Sequence, residues 1–183
     1  MKSIQTEIKI NATLYEVWLA LTQFHAYELW NPFIVDIRGE VGLGNKLKLT
    51  LYPAMSQLNE RMNENKMPDD APNFAGQEMT SLNKSSTFKV KISHFEEEKK
   101  LSWERRSFFM GSYFHEFLLE ETSNNQVIFK NNIEMSGLLV NMGWEAYIKH
   151  MYQSGLELMN EKLKEKVESD VLFIDPKLAD ERT

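Results

Sequence analysis

His115 is the residue of this 183-residue sequence that is best suited to chemistry. Aromatic and apolar residues occupy every second position around it, so its side chain is predicted to share an inward strand face with Phe117. Because histidine titrates near neutrality, it could hydrogen-bond a ligand carbonyl there or act as a general base. The competing interpretation is a core histidine that is satisfied by Tyr113 or by Asn131, which the hairpin register places opposite or diagonal to it.

Arg105 is a second polar residue with inward parity, on the segment that also carries Trp103. A buried guanidinium group needs a partner, because an unpaired charge in the interior is prohibitive. A ligand carboxylate would supply that partner. The alternative is that the long side chain reaches water at the end of the strand.

Catalysis by an interior carboxylate is not expected. The acidic residues of the third to seventh predicted strands, which include Glu104, Glu116, Glu120 and Glu134, all have the outward parity. A carboxylate base or carboxylate pair therefore has no place on the inward face. His115 remains the candidate catalytic residue, and no other catalytic residue is predicted.

No metal site or cofactor is predicted. The other histidines, His25, His94 and His150, lie far apart and form no metal-spaced pair with one another or with His115. The absence of cysteine excludes thiolate zinc sites, disulfides and thiol nucleophiles. No phosphate-binding loop, dinucleotide fingerprint or nucleophile elbow occurs.

The length and composition of the chain indicate one domain with a sizeable hydrophobic core. Hydrophobic residues make up 42% and aromatic residues 11% of the chain. The net charge of -6 argues against a nucleic-acid partner, which requires clustered cations. No apolar run approaches the roughly 20 residues that a membrane span requires, and the first residues lack the apolar region of a signal peptide. A cytoplasmic location is therefore expected.

Period-two alternation dominates the first three quarters of the chain and predicts seven strands. A short helix is expected after the first strand, because Thr13 and Glu16 have capping-box spacing before an apolar stripe. Trp18 on that helix and Trp103 on the sheet are both predicted to be buried. The predicted strands cover residues 4–10, 33–38, 46–51, 88–92, 101–106, 113–120 and 127–135.

The period then changes to that of a helix, over residues 138–167. Its apolar stripe includes Ile148, Met151, Leu156 and Leu163. The order of elements predicts the α+β class, with an antiparallel sheet packed against a long C-terminal helix.

Two segments lie outside this plan. Residues 53–85 hold prolines and many polar residues without strand alternation, and we expect this insertion to flank the entrance of a cavity. Residues 169–183 form an acidic tail that carries an apolar run at 171–174. The domain itself is predicted to span residues 1–168.

The order of several short sequence pieces resembles the START-like helix-grip superfamily (SRPBCC), specifically its polyketide cyclase/dehydrase-like branch. The resemblance covers about residues 3–168 without the insertion. The pieces are Val17-Trp18 and Leu21, Trp30-Asn31-Pro32-Phe33, Leu101-Ser102-Trp103, His115-Glu116-Phe117, Leu119-Glu120, Ser136-Gly137-Leu138-Leu139, and Gly155 to Asn160 followed by Leu163-Lys164.

This resemblance implies a curved seven-stranded sheet wrapped around the long helix, with an apolar cavity between them. Strand parity alone favours a filled core, and the resemblance favours the cavity. The residues predicted to line it are Trp30, Phe33, Phe88, Val90, Trp103, Arg105, Tyr113, His115, Phe117, Phe129 and Asn131, with Tyr147, Ile148 and Met151 from the helix.

Three functions follow from these expectations. The first is carriage or sensing of a small apolar or amphipathic molecule, and the lack of an inward carboxylate favours it. The second is a cofactor-free enzyme of cyclase or dehydrase type, with His115 as acid/base and Tyr113 or Asn131 polarising a carbonyl. The third is a protein-interaction module like the chaperone-activator relatives, through residues 53–85 or 171–174. A homodimer is compatible with all three.

Overall fold

The computed structural model describes residues 1–52, 85–107, 111–122, 124 and 126–174. For residues 146, 147 and 170–174 it describes the backbone alone. The predicted insertion, except residue 85, and residues 175–183 of the predicted tail lie outside the described residues, so the expectation for the cavity entrance stays a prediction.

The described elements follow the predicted order. In chain order they are β1 (Lys2–Ile10), α1 (Leu14–Thr22), a 3₁₀ turn (Phe24–Ala26), α2 (Tyr27–Trp30), β2 (Ile34–Arg38), β3 (Lys46–Leu51), β4 (Ser86–Glu96), β5 (Lys100–Ser107), β6 (Gly111–Glu121), β7 (Val127–Ser136), α3 (Leu138–Gly143), a π-helical turn (Trp144–Ile148) and α4 (Lys149–Ile174).

The seven strands form one antiparallel sheet in the order β1-β7-β6-β5-β4-β3-β2. The first strand therefore pairs with the last, and α4 packs against the inward face of β1. The predicted α+β class and the curled seven-stranded sheet are confirmed. No helix in the described part of the chain is long and apolar enough to cross a membrane.

The start of α1 has the geometry that its sequence predicts. The Thr13 hydroxyl accepts a hydrogen bond from the Glu16 amide, and the Glu16 carboxylate accepts one from the Thr13 amide at 2.8 Å. This reciprocal cap satisfies amides that the helix cannot satisfy itself. Trp18, one turn further along, is 5% exposed and Trp103 is fully buried, as expected.

Strand β4 is longer than the predicted segment 88–92, and it contains a bulge. The register with β5 shifts between Ile92 and His94. The extra residue changes the parity of the strand, so that the ring of Phe95 packs against Trp18 with ring centroids 5.4 Å apart. The sequence pattern predicts this strand only as far as residue 92, because the bulge breaks the alternation there.

The C-terminal helix differs from the single helix predicted over residues 138–167. The π-helical turn separates α3 from α4, and it adds a residue that rotates all following side chains around the axis. Helix α4 continues to Ile174, beyond the predicted end at residue 167.

Candidate functional site

Four fully buried rings form a cluster on the inward face of β5, β6 and β7. The ring of His115 lies 5.3 Å from that of Trp103 and 4.6 Å from that of Phe117. Phe117 in turn lies 5.6 Å from Phe129. Strand alternation brings these residues together, because each occupies an inward position on neighbouring strands. None of the four is more than 1% exposed.

His115 makes hydrogen bonds through both ring nitrogens. Its Nδ1 lies 3.1 Å from the hydroxyl of Tyr113, two residues earlier on the same strand face. Its Nε2 lies 2.7 Å from Oδ1 of Asn131 on β7. Asn131 pairs with Phe117 across the strands and is therefore diagonal to His115. Tyr113 and Asn131, the two partners expected of a satisfied core histidine, therefore both make hydrogen bonds with His115.

The chain of hydrogen bonds continues from the sheet to the long helix. The Asn131 amide donates to Oδ1 of Asn160 on α4 at 2.9 Å. Asn160 then donates to the Thr6 hydroxyl at 3.0 Å, and that hydroxyl donates to the backbone carbonyl of Asn131 at 3.1 Å. Five side chains therefore form one continuous polar network inside an apolar core.

The direction of these bonds fixes the form of the imidazole. Because Asn131 uses its amide nitrogen toward Asn160, its oxygen faces His115, and Nε2 must carry the proton. Nδ1 is then the acceptor for the Tyr113 hydroxyl. Burial lowers the pKa of His115 to about 4, against a smaller opposing effect of the hydrogen bond with Asn131. The imidazole is therefore neutral at physiological pH.

The indole N–H of Trp103 is a buried donor without a hydrogen-bond partner. It lies near the Tyr113 hydroxyl but does not reach hydrogen-bond geometry. Burial raises the pKa of Tyr113 well above its ordinary value, and the neighbouring Tyr152 raises it further. The Trp103 N–H has a smaller, lowering effect on the same pKa.

Exposure increases from this cluster toward one end of the sheet. Phe88 and Arg105 are half-buried there, and so is Tyr152 of α4, a neighbour of Tyr113. Met151, also on α4, is half-buried. The Phe88 ring lies 5.3 Å from Tyr113, and the Arg105 guanidinium lies over the Phe88 ring at 5.5 Å from its centroid. Arg105 therefore combines partial burial with a stacking contact rather than a buried ion pair.

The other residues that the sequence predicts to line the cavity lie in other parts of the fold. Val90 and Ile148 are buried, and Phe33, just before β2, packs against Tyr152 with ring centroids 5.5 Å apart. The side chain of Tyr147 lies outside the described residues. The Trp30 ring packs 5.0 Å from that of Tyr27, at the end of an aromatic series that leads through Phe24 to Trp103.

Carboxylates occupy the outer face, as predicted. The Glu116 carboxylate pairs with Lys100 at 2.6 Å, and Glu120 pairs with Lys130 at 2.6 Å. The buried polar residues of the described chain are three asparagines, one serine and His115. Within the described ranges, no group of three or more histidine and carboxylate side chains could hold a metal ion.

Asn160 and Thr6 are the functional-site residues that the sequence analysis missed. Asn160 lies four residues after Leu156 and three before Leu163, on the apolar stripe of α4. A polar residue within an apolar stripe was the available signal, because a buried amide requires partners on the facing element. Thr6 has inward parity among isoleucines on β1, which is a weaker signal of the same kind.

The sequence matches no family model and no curated protein, whereas solved structures share its fold. A START superfamily protein from Mycobacterium smegmatis has a TM-score of 0.61 at 14% identity, over 91% of this chain and 97% of that chain. The Aha1 dimer protein from Colwellia psychrerythraea has a TM-score of 0.57 at 16% identity, over 92% and 97%. The di-domain ARO/CYC StfQ of the steffimycin biosynthetic pathway has a TM-score of 0.62 at 6% identity, over 92% of this chain and 51% of StfQ.

Proposed function

We propose that this chain, which has the START-like helix-grip fold, binds a small amphipathic molecule between its sheet and its long helix. The apolar part of that ligand would lie against the half-buried side chains of Phe88 and Tyr152. Its polar head would meet Trp103 and Tyr113. The proposed activity is carriage or sensing, without a covalent step and without a cofactor.

The unpartnered indole N–H of Trp103 is the observation that carries this proposal. A buried donor without an acceptor costs about 1–3 kcal/mol, and an oxygen on a ligand would recover that free energy. The Tyr113 hydroxyl supports the same position. Because it donates its proton to His115, it retains a lone pair that can accept a hydrogen bond from the ligand head.

The exposure gradient supports the half-buried end of the sheet as the position of the ligand. The rings of the buried cluster contact one another directly, and no residue of the cluster is more than 1% exposed. Its members are Trp103, His115, Phe117 and Phe129. The half-buried residues beside Tyr113 are the ones with surface still to cover. Arg105, which stacks on Phe88 there, would pair with a carboxylate head.

The enzyme alternative, a cyclase or dehydrase with His115 as acid/base, has less support. Both His115 nitrogens already have partners within the protein, and a pKa of about 4 makes the imidazole a weak base at neutral pH. No carboxylate is among the buried residues of the described chain. These contacts favour a structural role for His115 in fixing the orientation of Tyr113.

A second candidate function is self-association through α3. This short helix exposes three large apolar side chains, Leu138 at 74%, Leu139 at 67% and Met142 at 74%. Contiguous exposed apolar residues are typical of interaction surfaces. This surface is here called the α3 patch. The segments that the sequence suggested for an interaction were residues 53–85 and 171–174; residues 53–84 lie outside the described residues, and for 171–174 only the backbone is described.

Titration with a fluorescent fatty acid tests the ligand proposal. We expect saturable one-to-one binding in the micromolar range, since apolar burial can supply that affinity without an ion pair. Trp103→Phe removes the indole N–H but keeps an aromatic ring. It should weaken binding about tenfold, which corresponds to the loss of one hydrogen bond.

Trp18→Phe is the matched control, because Trp18 is also a buried tryptophan but packs against Phe95 on another part of the sheet. It should leave the affinity unchanged, and a pure hydrocarbon probe should not distinguish wild type from Trp103→Phe. The absence of saturable binding, or an equal loss in both variants, would contradict the proposal. Native mass spectrometry of the protein from its own host then identifies the molecule.

A further inference from the structure

A cleft of about 550 Å³ separates α2 from the second half of α4. Trp30, Asn31 and Pro32 line one side, and Lys162, Glu165 and Lys166 line the other. Its volume is in the range of small-molecule sites. Unlike the proposed site beside Tyr113, this cleft lies at the opposite end of the aromatic series that connects Trp103 with Trp30.

Two buried donors beside this cleft have no acceptor. They are Nε1 of Trp30 and Nδ2 of Asn31, and among described residues the only other unpartnered buried side-chain donor is that of Trp103. The Asn31 side chain is 3% exposed, and its oxygen accepts hydrogen bonds from the amides of Phe33 and Ile34 at 3.0 and 2.8 Å. These bonds fix the amide orientation, so Nδ2 cannot be satisfied by exchanging its position with the oxygen.

Two lysines and two glutamates line the cleft, and they differ in exposure. Lys162 and Lys166 are half-buried, whereas Glu28 and Glu165 are exposed. The Lys162 ammonium contacts Glu165 at 2.6 Å, on a side that is accessible to solvent. The lysines are therefore less exposed than the acids, which places positive charge on the more buried part of the lining.

We infer that this cleft is a second ligand site, which binds a small organic molecule through a carboxylate group. The carboxylate oxygens accept hydrogen bonds from Trp30 Nε1 and Asn31 Nδ2, and the two lysines neutralise its charge. The apolar part of the molecule lies against Leu29, which is 82% exposed, and Pro32. This inference does not depend on the proposed site between sheet and helix.

A benzoate titration followed by ¹H–¹⁵N NMR on the full chain tests the inference. The protein has four tryptophans, so the Trp30 indole signal is one of four and is assigned by its loss in Trp30→Phe. Benzoate should shift the Trp30 indole and Asn31 side-chain amide signals in a saturable manner. Benzyl alcohol, which lacks the carboxylate, should not shift them, and inorganic phosphate should act more weakly because it cannot use the apolar lining.

Asn31→Asp is the decisive variant. It keeps the oxygen that accepts from Phe33 and Ile34, but it replaces the free donor with a negative charge, so the affinity for benzoate should decrease at least about tenfold. Lys149→Gln, on the same helix but paired with Glu145 outside the cleft, is the control and should bind as wild type does. Should Asn31→Asp fail to fold, Trp30→Phe with the Asn31 amide as reporter should show the same weakening.

Three results would overturn the inference. The first is no saturable shift of the Trp30 and Asn31 signals. The second is unchanged benzoate affinity in the variants that remove a donor. The third is an equal response to phosphate. If benzoate instead shifts only the Trp103 indole signal, the carboxylate binds at the site between sheet and helix and the cleft is not a ligand site.

Discussion

The neutral imidazole of His115 makes the interior sensitive to acid. The ring is in contact with four side chains, those of Trp103, Tyr113, Phe117 and Asn131. Tyr113 is the only titratable group among these contacts. Among the described residues, no carboxylate is buried beside the ring where it could stabilise an imidazolium ion. Protonation in the folded state would also remove the acceptor that Nδ1 offers to the Tyr113 hydroxyl.

Acidification should therefore destabilise the protein through His115. The pKa is lowered from an ordinary 6.5 to about 4, so the unfolded chain binds a proton at a pH where the folded protein does not. The stabilisation is fully present above pH 6.5 and is lost as the pH decreases toward 4. Urea unfolding should show a loss of about 2 kcal/mol in the free energy of unfolding between pH 7.5 and pH 5.

His115→Gln supplies the control for this prediction. Glutamine can donate and accept hydrogen bonds but does not titrate, so the variant should lose most of the pH dependence in that interval. Its stability at neutral pH is a separate quantity and need not match that of wild type. Parallel pH profiles for wild type and His115→Gln would show that the pKa of His115 is not lowered.

The sequence alone predicted much of this residue-scale arrangement but not its completion. Strand parity placed His115, Tyr113 and Asn131 on one face, because side chains in a strand alternate with a fixed period. The partners on other elements, Asn160 and Thr6, depend on how the helix rotates against the sheet. That rotation is a tertiary property, and no local pattern determines it.

At the scale of elements, Gly155 sets the distance between α4 and the segment before β2. A Cβ atom at this position would lie 2.4 Å from Cδ2 of Phe33, which is closer than two carbon atoms can approach. The helix therefore accepts the lower helix propensity of glycine in exchange for a close contact with a buried ring. The sequence does not identify Phe33 as the contact, because this contact depends on the tertiary fold.

Gly155→Ala should consequently destabilise the protein by about 1–3 kcal/mol, although alanine is the better helix former. Thermal or urea unfolding measures this difference. Glu161→Ala, at an exposed position of the same helix, is the matched control and should have little effect. In the Phe33→Leu background the cost of Gly155→Ala should decrease. An increase in stability for Gly155→Ala would mean that the helix lies farther from Phe33.

The elements themselves were predictable to different degrees. All seven strands were predicted because one face of each is buried, which imposes alternation. The π-helical turn was not, because an inserted residue leaves the helical stripe locally intact and becomes visible only when the stripes before and after are compared in space. The sequence predicts the end of α4 at residue 167 and not at Ile174, because the charged residues there resemble a solvated tail.

At the scale of the whole molecule, the α3 patch predicts self-association. Sedimentation velocity of the wild-type protein should show a concentration-dependent dimer, because pairing would cover the exposed Leu138, Leu139 and Met142 side chains. Leu139→Glu should shift the equilibrium to the monomer. Asn141→Glu adds the same charge at an exposed position of α3 without removing an apolar group, and it should still dimerise. A wild-type protein that is monomeric at every concentration would exclude this function.

The pairing of β1 with β7 has a consequence for the order of events during synthesis. Thr6 makes its hydrogen bond with a residue 125 positions later, so β1 is synthesised before the other strands of this sheet but must wait for the last of them before it can pair. At translation rates of about 5–20 residues per second, β1 remains an unpaired edge for on the order of ten seconds. Its exposed isoleucines are then available to chaperones or to other nascent chains. The alternating charges of Glu7 and Lys9 between them act as gatekeepers during that interval.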